Sequence, residues 1–143
     1  MTYQHILLTT DGSNQDWQMA EKSQQLATLV HAKLSLCHVI DAIPMPDTSY
    51  GTIIPLQQAS DNELLNAEKQ AFTAFADRLS IPLDARWLVF GIPVDEIIDL
   101  AKHQHVDLII VGLHSRHGLA RLLTPTANKV LQHAPCDVLA IRC

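Results

Sequence analysis

The feature that most restricts the fold is a short apolar run that ends in a polar turn. The residues from Leu108 to Val111 are all apolar, and Gly112 closes the run. Such a run is typical of a strand buried on both faces, and glycine suits a backbone position that tolerates no side chain. The turn that follows is rich in hydrogen-bond donors and contains His114, Ser115 and Gly118. Donors at the carboxyl end of a buried parallel strand predict a ligand site.

Strands and helices are expected to alternate along the chain. Apolar and amphipathic patterns predict strands at 5–10, 33–40, 83–90, 108–111 and 138–141, and helices at 17–30, 59–79, 93–101 and 126–134. This order predicts an α/β fold, a doubly wound, Rossmann-like sheet of five parallel strands with helices on both faces. We expect the strand order 3-2-1-4-5. Strands one and four are then neighbours whose carboxyl ends open a crevice.

Two segments depart from the regular pattern. Asp41 to Gln57 holds three prolines and a glycine, which predicts a long irregular loop. In the third strand, polar and apolar residues alternate, which is typical of an edge strand with one partly wet face.

Composition excludes several classes of protein. The 143 residues are 48% hydrophobic and 17% charged, which predicts one globular domain spanning 1–143. A net charge of −5 without a basic cluster argues against nucleic-acid binding. No run approaches the ~18 apolar residues of a membrane span, and the first residues do not form a signal sequence, so we expect a cytoplasmic protein without a membrane partner. The three cysteines form no CxxC pair and indicate neither a disulfide framework nor a zinc site.

The polar turns offer few of the groups that catalysis or metal binding requires. Ser13 and Ser115 have no identifiable base, and neither a GxSxG elbow nor a Walker A motif is present. We therefore expect no enzyme, although weak ATPase activity would leave little trace. His114 and His117 lack an adjoining carboxylate or cysteine, which is typical of solvated loop histidines. Asp11 either binds a ligand hydroxyl or caps the following helix.

Four motifs follow a known pattern in chain order. They are Asp11-Gly-Ser after the first strand, His38-Val39 at the end of the second, Val106-Asp-Leu-Ile-Ile-Val-Gly112, and Val130-Leu-Gln-His-Ala-Pro-Cys136. Together they resemble the universal stress protein family over nearly the whole chain. The resemblance implies a stress-response binding or regulatory protein, in which Asp11 and the Val39 backbone face the ribose and adenine of a nucleotide.

The family's phosphate-binding pattern is incomplete in this chain. Members that hold ATP carry glycine, two residues, glycine, nine residues and then Gly-Ser or Gly-Thr, and this backbone wraps the phosphates. Gly112 matches the first position, but Ser115 stands at the second glycine and Pro125-Thr126 at the final pair. Pro125 cannot donate an N–H, and Ser115 adds a Cβ. The chain therefore resembles the non-ATP-binding, universal stress protein A-like branch, with a degenerate nucleotide site.

The alternative is a nucleotide-binding switch. ATP, ADP or AMP would then bind weakly in the crevice between strands one and four. The residues that the resemblance implies for this site are Asp11, Val39, Gly112, His114, Ser115, Gly118 and Thr126.

The last strand, Val138–Cys143, is expected at an edge of the sheet. It is apolar and has no proline or inward charge, and bare edges of this kind invite pairing. The resemblance implies a homodimer formed by antiparallel pairing of two such edges. A monomer with a covered edge is the alternative. The sequence indicates no other protein partner.

Overall fold

The computed structural model describes residues 2–11, 14–41, 55–113 and 125–142, with the backbone alone at 41, 55–64, 125 and 126. In these residues, parallel strands and α-helices alternate in the order β1 (His5–Thr9), α1 (Trp17–Val30), β2 (Lys33–Asp41), α2 (Pro55–Arg78), β3 (Arg86–Gly91), α3 (Pro93–His103), β4 (Leu108–Leu113), α4 (Pro125–His133) and β5 (Asp137–Arg142). The strands pair in the order β3-β2-β1-β4-β5. The predicted fold class and strand order are confirmed.

Apolar layers cover both faces of the sheet. On the central strand β1, Ile6 and Leu8 pack with α1 and α2, whereas Leu7 between them packs with α3 and α4. All three side chains are fully buried. Burying a side chain of this size stabilises the fold by about 1.5–3 kcal/mol. The two layers hold β1 and β4 side by side at the centre, and this arrangement positions the crevice.

Helix α2 begins earlier than predicted. It starts at Pro55, whereas the sequence pattern placed its start at Ala59 and extended the loop to Gln57. Proline is favourable in the first turn of a helix, because the N–H it lacks would have no intrahelical partner there. The rest of the predicted loop, 42–54, lies outside the described residues. Among the described residues, no helix combines the length and the apolar character needed to cross a bilayer.

Strand β3 begins later than predicted. Leu83–Ala85 forms a 3₁₀ turn in which the Ala85 N–H donates to the Pro82 carbonyl at 3.0 Å, and β3 starts at Arg86. In a strand, Leu83 and Ala85 would point to the same face. Here Ala85 is buried and Leu83 is 83% exposed, so the turn separates them. The strand lies at one edge of the sheet, as its mixed polar pattern predicted.

Gly91 turns the chain from β3 into α3. Its φ is +151°, and a Cβ there would lie 2.6 Å from the Glu96 Oε1 atom. Both the backbone conformation and the contact with Glu96 therefore require glycine. Pro93 follows in the first turn of α3, as predicted.

Candidate functional site

A crevice opens at the carboxyl ends of β1 and β4. These strands are neighbours, and the helices that follow them, α1 and α4, lie on opposite faces of the sheet. Open α/β sheets bind their ligands at such a switch of direction. The cavity has a volume of about 240 Å³ and is lined by Thr9, Thr10, Asp11, Asp16, Cys37, His38, Val39, Pro93, Ile97, Val111, Gly112 and Ala127.

Three of the residues singled out in the sequence line this cavity together. Asp11 follows β1 and is exposed, Val39 lies on β2 and is half-buried, and Gly112 lies on β4 beside Ile141 of β5. They are distant in sequence. The parallel register brings them together because the carboxyl ends of parallel strands meet at one edge of the sheet.

Two threonines form hydrogen bonds that join the strands at the base of the crevice. The Thr9 hydroxyl donates to the Ile110 carbonyl at 3.0 Å, which ties β1 to β4. The Thr10 N–H donates to the Cys37 carbonyl at 3.0 Å, which ties the end of β1 to β2. These hydrogen bonds extend the sheet as far as Thr10. They thereby fix the position of the backbone from which the Asp11 side chain projects.

Asp16 is a residue of the crevice that sequence reasoning missed. It is only 2% exposed. Its Oδ2 atom accepts hydrogen bonds from the Thr10 hydroxyl at 2.9 Å and from the Asp11 N–H at 3.0 Å. Asp16 is the N-cap residue of α1, yet its side chain makes no capping hydrogen bond. An aspartate in front of an amphipathic helix usually indicates an N-cap. The only sequence feature that could have indicated a role in the crevice was the presence of a second aspartate in the same turn as Asp11.

The environment of Asp16 favours its neutral form. Burial raises the pKa of Asp16 above the ordinary aspartate value, and the neighbouring Asp11 carboxyl raises that pKa further. Hydrogen bonds from the Asp11 amide and the Thr10 hydroxyl oppose the increase, because they stabilise the charged form. The crevice thus contains one exposed and one buried carboxyl group, and the Asp11 N–H links them by donating to the Asp16 Oδ2 atom.

Cys37 is not a reactive group of the crevice. It is 1% exposed, and burial, followed by the nearby Glu96 carboxylate, raises the pKa of its thiol to about 12. A thiol that stays protonated is neither a nucleophile nor a metal ligand. Cys37 therefore acts as a small core residue.

His38 joins the crevice to α2. Its Nε2 atom lies 2.9 Å from the Glu68 Oε2 atom, and its side chain is 11% exposed. The contact with Glu68 links the end of β2 to the helix that covers it.

The chain is similar to known proteins over nearly its whole length. The family model described as "Universal stress protein family" matches residues 2–142. The chain belongs to the universal stress protein family. It is 32% identical to universal stress protein A homolog 1 of Coxiella burnetii over 143 residues, covering 99% of this chain and 97% of that protein. It is 37% identical to homolog 2 of the same organism over 131 residues, covering 90% and 87%.

Solved universal stress proteins have the same fold. UspA from Lactobacillus plantarum is 26% identical, with a TM-score of 0.66 and 99% of each chain covered. A universal stress protein solved in complex with cAMP is 23% identical, with a TM-score of 0.67, and the match covers 99% of this chain and 98% of that one. The family resemblance found in the sequence is therefore confirmed.

Four of the predicted site residues of this universal stress protein are not placed in the crevice. His114, Ser115 and Gly118 lie outside the described residues, as does His117. Thr126 lies in the first turn of α4, where only the backbone is described. Ala127, next to it, is 2% exposed and lines the cavity, so the amino end of α4 borders the crevice.

The described wall of the crevice is acidic. Asp11 and Asp16 line it, and its described lining includes neither lysine nor arginine. Within the part of the chain that the structure describes, no group of three histidine, cysteine, aspartate or glutamate side chains is placed to hold a metal ion. The described groups can accept hydrogen bonds from a ligand's hydroxyl or amino groups.

Proposed function

We propose that this universal stress protein is a cytoplasmic, dimeric binding or regulatory module of the stress response, one domain over 1–143, with a degenerate nucleotide site. The observation that supports this best is the position of Pro125 as the first residue of α4. The first N–H groups of a helix have no intrahelical partner and are the ones that bind anions. Proline has no N–H, so the helix that borders the crevice has one donor fewer for a phosphate. This supports assignment of the chain to the non-ATP-binding branch.

The charge of the crevice supports the same proposal. A triphosphate is strongly negative, and the described lining offers the exposed carboxyl group of Asp11 and neither lysine nor arginine. Like charges weaken binding in a partly buried site, where screening by water is reduced. The inert Cys37 thiol also favours binding over catalysis.

A nucleotide-binding switch is the second candidate. Asp11, Val39 and Gly112 line one cavity, which supports a site for the ribose and base of ATP, ADP or AMP. The structural neighbour that holds cAMP supports the same class of ligand. His114, Ser115, Gly118 and Thr126 would complete this site.

Isothermal titration with ATP, ADP and AMP separates the two candidates. We expect dissociation constants weaker than about 100 μM for all three, since a site with one or two missing donors loses several kcal/mol. Tighter binding by the wild-type protein would favour the switch. Phosphate release from ATP that Asp11→Ala abolishes would instead indicate an enzyme.

Pro125→Ala tests the physical reason for weak binding. Alanine restores the missing N–H, and a hydrogen bond to a charged group contributes about 1.5–3 kcal/mol, so ATP affinity should rise roughly tenfold or more. Pro82→Ala is the matched control, because Pro82 precedes a 3₁₀ turn and does not belong to the lining of this cavity. That variant should leave ATP affinity unchanged. Equal affinities for Pro125→Ala and wild type would contradict the role given to Pro125.

A further inference from the structure

Asp16 and Asp11 form a pair of carboxyl groups at the crevice. Asp16 is 2% exposed, whereas Asp11 is exposed. The Asp16 Oδ2 atom accepts the Asp11 N–H at 3.0 Å and the Thr10 hydroxyl at 2.9 Å, which places the two carboxyl groups side by side, and the Asp11 carboxyl raises the pKa of Asp16. Two carboxyl groups can hydrogen-bond directly only when one of them carries a proton. Neighbouring carboxyl groups are costly to ionise together, so the pair favours a single shared proton.

The position of the proton follows from burial. Ionising a buried carboxyl group is more costly than ionising one in contact with water, so the proton belongs on Asp16 and the charge on Asp11. A protonated Asp16 still has a carbonyl oxygen, which accepts the hydrogen bonds from Thr10 and the Asp11 amide. Its hydroxyl then donates to the Asp11 carboxylate.

We propose that Asp16 is a positioning residue of the crevice, whose carboxyl O–H donates a hydrogen bond to the Asp11 carboxylate and holds it as an ionised acceptor for a hydroxyl-bearing ligand such as a nucleoside. The inference rests on the proposed function in one respect, namely that Asp11 contacts the ligand. Asp16 lies beneath Asp11 and acts through it. The pair thereby selects a ligand that presents hydroxyl donors at this end of the cavity.

The pair makes ligand binding depend on pH in both directions. At acid pH, Asp11 also takes a proton and loses its acceptor character. At alkaline pH, Asp16 ionises, and two adjacent negative charges push the Asp11 side chain away from its bound position. Binding should follow a bell-shaped curve whose limits belong to the pair as a whole. The other described titratable groups of the crevice are Cys37, which stays a thiol, His38 with its partner Glu68, and Glu96, which lies near Cys37.

The proton is located by a measurement without ligand. Carbon NMR of protein labelled at the aspartate carboxyl carbon follows each group through a pH titration. We expect the Asp16 signal to titrate above the ordinary aspartate value and to be absent in Asp16→Asn. An Asp16 signal that titrates at or below the ordinary value would overturn the proposal, whatever the ligand is.

The positioning role is tested with adenosine, which has no phosphate to add a titration of its own. Asp16→Asn keeps both acceptor bonds and donates an N–H to Asp11, so it should bind as wild type does but without the alkaline decline. Asp16→Ala removes these bonds and should weaken binding roughly tenfold or more. His38→Gln, the control for the other crevice residue that can change charge, should keep the decline. A decline that survives in Asp16→Asn, or is lost in His38→Gln, would overturn the proposal.

The experiments distinguish a failure of the shared proton from a failure of the nucleoside site. If adenosine binds at no pH while the Asp16 carbon titrates high, the carboxyl pair stands, the proposed ligand class is wrong, and so is the positioning role. If adenosine binds and the Asp16 carbon titrates low, the site stands and the shared proton is wrong.

Discussion

His5 is a buried histidine whose two ring nitrogens both have partners. It is 9% exposed, its Nδ1 atom lies 2.9 Å from the Gln104 carbonyl, and its Nε2 atom lies 2.7 Å from the Ser35 hydroxyl. A carbonyl only accepts, so Nδ1 carries the hydrogen and Nε2 of the neutral ring accepts from Ser35. The protein thereby fixes one tautomer of His5 at the amino ends of β1 and β2.

Replacing Ser35 tests this hydrogen bond. Ser35→Ala leaves the buried Nε2 atom without its donor, which should lower the free energy of unfolding by about 1–3 kcal/mol in a urea titration. Ser23→Ala is the matched control. Ser23 is also fully buried, but its hydroxyl donates to the Met19 carbonyl of its own helix. That carbonyl also accepts the helical backbone N–H, so the loss should be smaller. Equal losses in the two variants would contradict the special role of the His5 contact.

His5 also predicts a loss of stability in mild acid. Burial lowers the pKa of His5 below the ordinary value of 6.5, with Lys33 adding to the shift and the Gln104 carbonyl and Asp107 opposing it. At a pH between the lowered pKa of His5 in the folded protein and the ordinary value of the unfolded chain, the unfolded chain binds a proton that the folded chain does not. The free energy of unfolding therefore falls as the pH falls through this range.

The measurement is a set of urea titrations of wild type and His5→Asn across this range. The stability advantage of wild type over His5→Asn should be constant above about pH 7.5 and shrink as the pH decreases. An advantage that stays constant at every pH would contradict this prediction.

Residue patterns predicted part of the crevice. Asp11, Val39 and Gly112 were found because each stands at the end of an apolar strand, and strand order alone brings such ends together. Asp16 was missed because its carboxyl group turns away from the helix it precedes, and only the three-dimensional contact with Thr10 and Asp11 reveals its part. The roles of the predicted residues toward a ligand remain predictions.

Among the helices, α1, α2 and α3 end in the same way, with a residue other than glycine in the left-handed conformation. His31, Ser80 and His105 have φ values of 58°, 56° and 54°. In each case the next residue donates its N–H five residues back, as from Ala32 to the Ala27 carbonyl at 2.8 Å. This is the Schellman motif, whose left-handed position favours glycine.

Glycine at these ends should stabilise the protein. The left-handed conformation costs an ordinary residue roughly 1–2 kcal/mol, part of which glycine recovers. We expect His105→Gly to raise the free energy of unfolding by about 1 kcal/mol and the melting temperature by roughly 3 °C. Lys102→Gly is the control, because a glycine inside α3 should lower stability by about 1 kcal/mol. A loss of stability in both variants would contradict this account of the helix ends.

For the helices and strands, the sequence predicted the central residues of each element more accurately than its first and last residues. Apolar stripes followed the buried faces of the helices, but the three helix ends carry no glycine that would indicate them. The start of α2 was misplaced because Pro55 was interpreted as part of a loop, although it is the first residue of the helix. Leu83 was placed in β3 because a 3₁₀ turn and a strand are not distinguishable over three residues.

At the scale of the whole molecule, the order of the strands leaves two edges, β3 and β5. Alternation of strands and helices predicts a parallel sheet covered on both faces, since parallel strands need crossovers, and 3-2-1-4-5 is one of the doubly wound orders that this alternation allows. It does not say which edge meets a second copy of the chain. The family resemblance implied β5. Each edge carries an exposed apolar residue, Leu139 on β5, which is 38% exposed, and Phe90 on β3, which is 55% exposed.

These two residues give a matched test of the proposed dimer. If the β5 edges of two copies pair, Leu139→Glu places two like charges in the interface, where burial makes the repulsion costly, and the protein should become a monomer. Phe90→Glu, on the other edge, should leave the dimer intact. Light scattering at tens of micromolar should then give about twice 15.9 kDa for wild type and Phe90→Glu, and 15.9 kDa for Leu139→Glu. A wild-type mass of one chain would rule out the dimer, and dissociation by Phe90→Glu alone would move the interface to β3.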